Sequence, residues 1–312
     1  MKKNSPVLTR HDGNPLLHAD TFPGLWGLAS PSPAVVAGKT VLLLSAHPCL
    51  GDAPKQTWVA TSDDGIAFDV RPEPFMAAAQ LPEGLQEYGD LYDNRITCID
   101  GTYYILTQLD AGKYDRSAVL LGRTTDFESY EAMELISAPR DPGASLFPGR
   151  VDGQYLRIVV REGKAGGGAG ALWLCASPDL LHWGDFRWIL ASHHMLWCKR
   201  ALSATPPIAT EEGWLVIAHG VHDSIDGPHY AIGALLLDRA KPDTVLGITH
   251  TPLLTPEAPY ETAGHNDNRL ASGGALADAE KDEITVYYSA ADTAIAVATG
   301  KLSEVVAACR PL

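Results

Sequence analysis

The chain lacks the features that mark membrane and secreted proteins. None of its 312 residues belongs to an apolar run that could span a bilayer, which needs about 18 uncharged residues. The basic start, Met1-Lys2-Lys3-Asn4-Ser5-Pro6, leads into polar residues rather than into the apolar core of a secretory signal. We therefore predict a cytoplasmic protein without a membrane partner.

Cysteine is scarce and scattered. The five cysteines form no C-x-x-C pair and no tight cluster: Cys49, Cys98, Cys175, Cys198 and Cys309. An odd, scattered set is typical of reduced thiols in a cytoplasmic protein. The histidines also lack the spacing of a zinc site, so we predict no metal and no bound cofactor.

Positive charge is in short supply. The chain carries 24 lysines and arginines against 38 aspartates and glutamates, which gives a net charge of −14. Because a nucleic-acid backbone requires a basic surface, this balance argues against nucleic acid as a partner. In so acidic a protein, a few converging cationic groups would create one local site that attracts a small anion.

What the chain does have is a phrase that recurs five times, a short polar turn followed by an aliphatic and aromatic run. The runs are Thr40 to Ser45, Thr102 to Thr107, Gln154 to Arg161, Trp214 to His219 and Glu283 to Ala290. They recur at intervals of roughly 60 residues, which suits repeated β-sheet units. Asp-Gly or Glu-Gly before such a run is typical of a turn that leads into a strand.

A second phrase, Ser or Thr, then Asp, then an aromatic residue, repeats between the runs. It reads Thr61 to Phe68, Thr124 to Tyr130 and Ser177 to Trp183, the composition of a tight turn whose aromatic packs on a sheet. Since no linker divides the chain, we predict one all-β domain over 1–312, a five-bladed β-propeller. Helical periodicity is weak, and short helices are expected only at Phe75 to Leu85 and Leu302 to Ala308.

Asp93 and Arg95 stand immediately before the second repeated strand. Residues two positions apart on extended backbone project to the same side, so the carboxylate and the guanidinium could act on one small ligand. The alternative is a turn carboxylate paired with a surface arginine.

Three further polar side chains occur where a repeated strand ends. Arg161 closes an apolar run, where an unpaired charge is costly unless it faces a site. His219 ends a strand and precedes a glycine, and Asp292 follows the last repeated strand. Alone, they could equally be a strand-end arginine, a satisfied core histidine and a hairpin-turn aspartate.

At these residues the chain resembles glycoside hydrolase family 130, five-bladed propeller enzymes that include β-mannoside phosphorylases and β-mannosidases. The resemblance extends over most of the chain. The matching segments are Asn14 to Leu17, Asp93 to Thr97, Ser145 to Pro148, Ser177 to Gly184, Pro206 to Ile208, Trp214 to Val221, Tyr230 to Asp238 and Ala290 to Thr293.

The resemblance implies inverting phosphorolysis of a β-linked oligosaccharide, with β-mannosyl as the expected sugar and a sugar 1-phosphate as the product. Asp93 is then the proton donor, relayed through a sugar hydroxyl, and inorganic phosphate is the co-substrate. The implied phosphate ligands are Arg95, Arg161, Arg200 and His219, and the implied sugar ligands are Asp292, Tyr230 and Glu261. Members of this family often assemble as oligomers, so a homo-oligomer is expected.

The chain departs from the family pattern at several places, among them Val160 and Ala218, which stand where the family has His and Tyr, and Arg200, which stands where it has Lys. The signature Glu-Asp-Pro-Arg has become Tyr92-Asp93-Asn94-Arg95, and the first repeated strand ends Leu44-Ser45-Ala46-His47 where the phosphorylases have Tyr-Arg. Two other functions therefore stay open. One is an inverting hydrolase in which Glu261 serves as the base; the other is a propeller that binds sugar without catalysis.

Overall fold

The structure is a computed structural model that describes residues 6–49, 53–110, 117–137, 143–162, 170–195 and 197–312, without the side chains at 72, 162 and 200–202. It begins with two short strands, β1 (Leu8–Arg10) and β2 (Leu17–His18). The described residues then form five antiparallel sheets arranged as the blades of a propeller.

The strands of the blades follow one another along the chain. Blade 1 is β3 (Leu25–Val36), β4 (Lys39–Pro48), β5 (Gln56–Ser62) and β6 (Asp69–Met76). Blade 2 is β7 (Asp90–Ile99), β8 (Thr102–Asp110), β9 (Ser117–Thr124) and β10 (Glu131–Leu135). Blade 3 is β11 (Ala144–Val151), β12 (Gln154–Glu162), β13 (Gly170–Ser177) and β14 (Gly184–Ala191). Blade 4 is β15 (Arg200–Ala204), β16 (Ile208–Ala209), β17 (Trp214–Ser224), β18 (Gly227–Leu237) and β19 (Val245–Thr249). Blade 5 is β20 (Leu270–Asp278), β21 (Glu283–Ala290) and β22 (Ala294–Lys301).

Strands from the two ends of the chain complete the sheets of blades 5 and 4. Strand β1 pairs with β22 and so supplies the outer strand of blade 5, with Leu8 opposite Gly300. Near the C-terminus, β23 (Cys309–Arg310) pairs with β19 of blade 4, with Arg310 opposite Ile248. Because β1 comes from the opposite end of the sequence to β22, their pairing holds the start of the chain to the last blade.

The repeated turn-and-strand phrases are the hairpins between the first and second strands of the blades. The five predicted runs coincide with the starts of β4, β8, β12, β17 and β21. At the turns, Asp100 and Gly101 both have positive φ, at 50° and 78°, and Asp152 and Gly153 repeat this with 50° and 76°. Two successive residues with positive φ are the mark of a tight hairpin turn, which is why Asp-Gly recurs there.

The second repeated phrase is confirmed as a side-chain-capped turn after the third strand of a blade. The carboxylate of Asp64 accepts hydrogen bonds from the backbone N–H groups of Ile66 and Ala67, each at 2.8 Å. The carboxylate of Asp126 accepts from the N–H groups of Glu128 and Ser129 at 2.8 and 3.1 Å. These bonds replace the water that the turn amides would otherwise need.

The apolar core consists of five clusters, one between each pair of neighbouring blades. Leu43 and Ile105 belong to the cluster between blades 1 and 2, and Leu42 and Val297 to the cluster between blades 5 and 1. The other three clusters join blades 2 and 3, blades 3 and 4, and blades 4 and 5. Each blade therefore buries apolar side chains on both of its faces.

Of the two predicted helices, one is present. Helix α2 spans Leu302–Ala308 as predicted, and a short α1 (Pro259–Thr262) precedes β20. The helix predicted over Phe75 to Leu85 is wrong: β6 extends to Met76, and only a 3₁₀ turn, Ala78–Gln80, follows. Pro82 and Gly84 interrupt this segment, since proline cannot donate an intrahelical hydrogen bond and glycine is a poor helix former. The other 3₁₀ turns are Ala19–Thr21 and Ser192–His194.

Candidate active site

The innermost strands carry irregularities at the level of the channel. The register with the second strand shifts between Ala29 and Ser32 in β3, and between Tyr92 and Arg95 in β7. Ser30 and Asp93, which lie within these two shifts, have positive φ values of 49° and 54°. A bulge re-aims the side chain that it carries. In this chain the re-aimed side chains of Ser30 and Asp93 face a cavity.

The cavity has a volume of about 380 Å³, within the range of small-molecule sites. It receives side chains from all five blades. Its lining comprises Ala29, Ser30, His47, Lys55, Tyr92, Asp93, Gln108, Gly143, Val160, Ser203, His219, Tyr230, His265, Asn266, Arg269, Ala271 and Asp292. The hub of the propeller thus brings together residues that lie far apart in the sequence.

Asp93 and Arg95 form an ion pair at this cavity. The Nη1 atom of Arg95 donates to the Oδ1 atom of Asp93 at 2.8 Å, and the Arg95 side chain is only 2% exposed. The backbone N–H of Asp93 donates to the hydroxyl of Ser45 at 3.0 Å. The carboxylate therefore faces the cavity while the guanidinium supports it from behind.

The ion pair sets the charge of the acid. Burial by itself would raise the pKa of Asp93, but the guanidinium of Arg95 holds that pKa below its usual value. Asp93 is therefore ionised near neutral pH in the empty site. For Asp93 to donate a proton, something must offset the positive charge of Arg95.

His219 stands across the same cavity. It lies in β17 and is 8% exposed. Burial, assisted by the positive charge of Arg95, lowers the pKa of His219 to about 3. The imidazole is accordingly neutral, and it can donate or accept a hydrogen bond without adding a full charge to the site.

Asp292 is held by its neighbours in blade 5. Its Oδ2 atom accepts a hydrogen bond from the side chain of Asn266 at 2.6 Å and lies 3.1 Å from the Nε atom of Arg269. The guanidinium of Arg269 also covers the ring of Tyr230, 4.5 Å from its centroid. Asp292 is 5% exposed, so its carboxylate is oriented before any ligand arrives.

Lys55 and Tyr92 are cavity residues that the sequence reasoning did not select. The ammonium group of Lys55 lies 4.1 Å from the centroid of the Tyr92 ring and 3.5 Å from the carboxylate of Asp90. The Tyr92 hydroxyl accepts a hydrogen bond from Gln108 at 2.9 Å. The only signal in the sequence was Tyr92 itself, which replaces the family glutamate.

The structure brings together most, though not all, of the predicted site residues. Asp93, His219, Tyr230 and Asp292 line the cavity, and Arg95 contacts it through Asp93. Arg161 is not among the lining residues: its guanidinium packs on the ring of Phe186, 4.3 Å from the centroid. Its neighbour Val160 lines the cavity instead, as expected when adjacent strand residues face opposite sides.

Arg200 and Glu261 complete the predicted set. Arg200 begins β15, but its side chain lies outside the described part of the structure. Glu261 does not line the cavity. It is fully buried, and it accepts two hydrogen bonds from Arg10 at 2.7 and 2.9 Å and one from the Tyr288 hydroxyl at 2.9 Å. Its oxygens are therefore committed to structural partners, which leaves them unavailable to a sugar or to a water nucleophile.

Metal ligands and membrane spans were also sought in the described residues. Within that part of the chain, no group of three or more His, Cys, Asp or Glu side chains could hold a metal ion. No helix there is long and apolar enough to cross a membrane.

A propeller hub that joins an acid–arginine pair to hydroxyl, amide and imidazole groups defines the class, a carbohydrate-active enzyme. The family model described as beta-1,4-mannooligosaccharide phosphorylase, glycoside hydrolase family 130, matches residues 54–311. The chain belongs to that family.

Characterised relatives agree with this assignment. A beta-1,2-mannobiose phosphorylase of Listeria innocua is 33% identical over 79% of this chain and 66% of its own length. A beta-1,4-mannooligosaccharide phosphorylase of Ruminococcus albus is 29% identical over 78% of this chain and 73% of its own. The solved structure of beta-1,2-mannobiose phosphorylase from Listeria innocua, in complex with beta-1,2-mannobiose, superposes with a TM-score of 0.83. It is 26% identical and covers 97% of this chain and 99% of that one.

Proposed function

We propose that this protein catalyses inverting phosphorolysis of a β-mannosyl oligosaccharide, with Asp93 as the proton donor. The observation that carries the proposal is the position of the Asp93–Arg95 pair at the cavity of a chain that belongs to this family. The names of the relatives add the substrate class, since they are phosphorylases of β-1,2- and β-1,4-linked mannosides.

The reaction balances as follows. An oxygen of hydrogen phosphate forms a bond to the anomeric carbon, and the bond from that carbon to the glycosidic oxygen breaks with inversion. Asp93 delivers a proton through a sugar hydroxyl to the departing oxygen. The proton that hydrogen phosphate loses then reprotonates Asp93. The products are an α-sugar 1-phosphate and an oligosaccharide that is shorter by one unit.

Phosphate requires donors, and the cavity provides several. Lys55 and Arg269 are the cations that line the described part of it, Arg95 lies behind Asp93, and the neutral His219 can donate a hydrogen bond. We assign phosphate binding to Lys55 and His219, which line the cavity. The buried Arg95, already bonded to Asp93, contributes its positive charge from behind, and Arg269 is engaged with Asp292 and Tyr230. In this assignment Lys55 replaces the arginine that the family has at the end of the first repeated strand. Phosphate binding by Arg200 stays a prediction.

Phosphate would also prepare the acid. A dianion near Arg95 offsets the positive charge that holds the pKa of Asp93 low, so the pKa rises when phosphate binds. The acid would thus become protonated in the complex that needs its proton. A hydrolase that uses water would gain no such compensation.

The carboxylates at the cavity also favour phosphorolysis over hydrolysis. An inverting hydrolase needs a second carboxylate as general base. Among the described lining residues, Asp292 is the other carboxylate besides Asp93, and it is already bonded to Asn266 and Arg269. Glu261, the base expected for hydrolysis, is paired with Arg10. No carboxylate among the described lining residues is therefore left to act as that base.

The direct test is a panel of β-linked mannobioses incubated with and without phosphate, with the products separated into free mannose and mannose 1-phosphate. Phosphorolysis predicts mannose 1-phosphate and a rate that depends on phosphate. Asp93→Asn should lower turnover by at least about 100-fold, since general acid catalysis contributes that much. Equal release of free mannose in both buffers would refute the proposal. Cytoplasmic location and homo-oligomer formation stay predictions.

A further inference from the structure

An exposed tryptophan stands at the rim of the cavity. Trp26 lies in β3, and 43% of its surface is exposed. Its ring lies against the imidazole of His265, and its centroid lies 6.3 Å from that of His47. Both histidines line the cavity. The exposed indole therefore borders the cavity through these two residues.

The two histidines make this wall polar without making it charged. Burial, together with the nearby ammonium of Lys55, lowers the pKa of His47 to about 4. The pKa of His265 is also lowered, first by burial and then by the charges of Lys55 and Arg269. Neutral imidazoles donate and accept hydrogen bonds, so both side chains can bond to the hydroxyl groups of a sugar.

The loop that carries His265 is fixed to the turn that carries Asp292. The backbone N–H of His265 donates to the Thr293 hydroxyl at 2.8 Å, and that of Asn266 donates to the Ala291 carbonyl at 2.9 Å. A wall held in this way loses little conformational freedom when a ligand binds.

Trp26 is fixed to the same turn from the other side. A Cβ atom on the adjacent Gly27 would lie 2.7 Å from the Asp292 carbonyl oxygen, so the two backbones are in direct contact. The N–H of Leu28 donates to that same oxygen at 3.1 Å. The indole therefore stands at a set distance from the carboxylate proposed to hold the reacting sugar.

We propose that Trp26, His47 and His265 form a subsite for the leaving sugar, the pyranose ring next to the one held by Asp292. The apolar C–H face of the pyranose would lie on the indole, and its hydroxyl groups would bond to the imidazoles. This subsite rests on the proposed function, because the reaction defines which ring leaves. Trp26 is then a specificity-determining residue rather than a catalytic one.

The test uses the reverse reaction, in which mannose 1-phosphate donates to an acceptor sugar. Trp26→Ala should raise the KM for mannose or mannobiose as acceptor by about tenfold, as truncation of a buried aromatic contact does. The KM for mannose 1-phosphate should change by less than about twofold, and Trp26→Phe should fall between the two enzymes. Trp188→Ala is the matched control, since Trp188 is 48% exposed on β14 of blade 3 and its ring contacts His194, which does not line the cavity. An unchanged acceptor KM, or an equal rise in both KM values, would overturn the subsite.

A binding measurement separates failure of the subsite from failure of the reaction. Mannobiose should change the tryptophan emission of the wild type and of Trp188→Phe, and it should not change that of Trp26→Phe. If the wild type shows this signal but no phosphorolysis, the sugar subsite stands and the proposed reaction falls. Emission that responds equally in all three proteins, or in none, counts against the subsite.

Discussion

Lowering the pH should destabilise this protein through His219 in particular. The pKa of this imidazole is about 3 in the folded state, because burial and the charge of Arg95 oppose its protonation, against about 6.5 in the unfolded chain. The unfolded state therefore binds more protons between these two values. Stability is complete above the unfolded pKa and falls as the pH is lowered below it.

The size of the stability loss follows from protonation of the His219 imidazole in the unfolded chain. At about pH 5 the unfolded imidazole is mostly protonated, while the folded imidazole of His219, with a pKa of about 3, is neutral. The loss relative to about pH 7.5 is then about 1.5 pH units, or about 2 kcal/mol. The expected magnitude is therefore insensitive to the depth of the shift in the folded protein.

The assay compares the wild type with His219→Gln, whose side chain does not titrate. Urea unfolding at about pH 7.5 and about pH 5 gives the change in free energy for each protein, and groups common to both cancel in the difference. The wild type should lose about 2 kcal/mol more than the variant. His193→Gln removes an exposed histidine and is the matched control; it should follow the wild type. Coincident transitions by circular dichroism and fluorescence are needed for this comparison.

Two results would refute the reasoning. One is an identical pH dependence in the wild type and His219→Gln. The other is an NMR titration in which the His219 ring protonates near pH 6.5 in the folded protein, at the value of a free histidine. Either would show that the folded protein does not hold His219 neutral at about pH 5.

Two other substitutions separate binding from structure. Lys55→Met should raise the KM for phosphate about tenfold and leave the KM for the mannoside within about twofold, with Lys55→Arg close to the wild type, by initial rates; an unchanged phosphate KM removes Lys55 from the anion site. Glu261→Ala should lower the free energy of unfolding by about 2–3 kcal/mol in denaturant titrations, because the buried Tyr288 hydroxyl loses its acceptor and the partly exposed Arg10 loses one of its carboxylate partners. A Glu261→Ala variant that is as stable as the wild type but inactive would instead assign Glu261 to substrate binding.

Much of the fold could be predicted because its signals are local. A two-residue turn with positive φ needs Asp-Gly or a similar pair, and a strand buried on both faces of its blade needs an aliphatic run. Five repeats of this pair of signals therefore predicted five blades. Helix α2 was predicted for the same reason. The prediction of a helix over Phe75 to Leu85 was wrong because the alanines of this segment favour a helix, whereas Pro82 prevents one from continuing.

The site could be predicted only where the chain itself marks it. The sequence places Asp93, His219 and Asp292 next to the repeated strands. In the structure Asp93 lies at the bulge of β7, His219 within β17 and Asp292 just after β21, and the hub brings all three to one cavity. Lys55 and His265 lie in connections without periodicity, so no pattern in the sequence points to them. For Arg161, the charge at the end of an apolar run was interpreted as facing a site, but the Phe186 ring gives the guanidinium another favourable environment.

Glu261 shows how a residue outside the cavity can still govern it. Its helix, α1, is followed directly by the loop that carries His265, Asn266 and Arg269, and its ion pair with Arg10 ties that helix to the closing strand β1. Closure of the ring and the position of the cavity wall are therefore coupled through one buried carboxylate. The buried glutamate stabilises the scaffold on which the sugar ligands stand, which explains why an acid so close in sequence to the site has no free oxygen to offer the substrate.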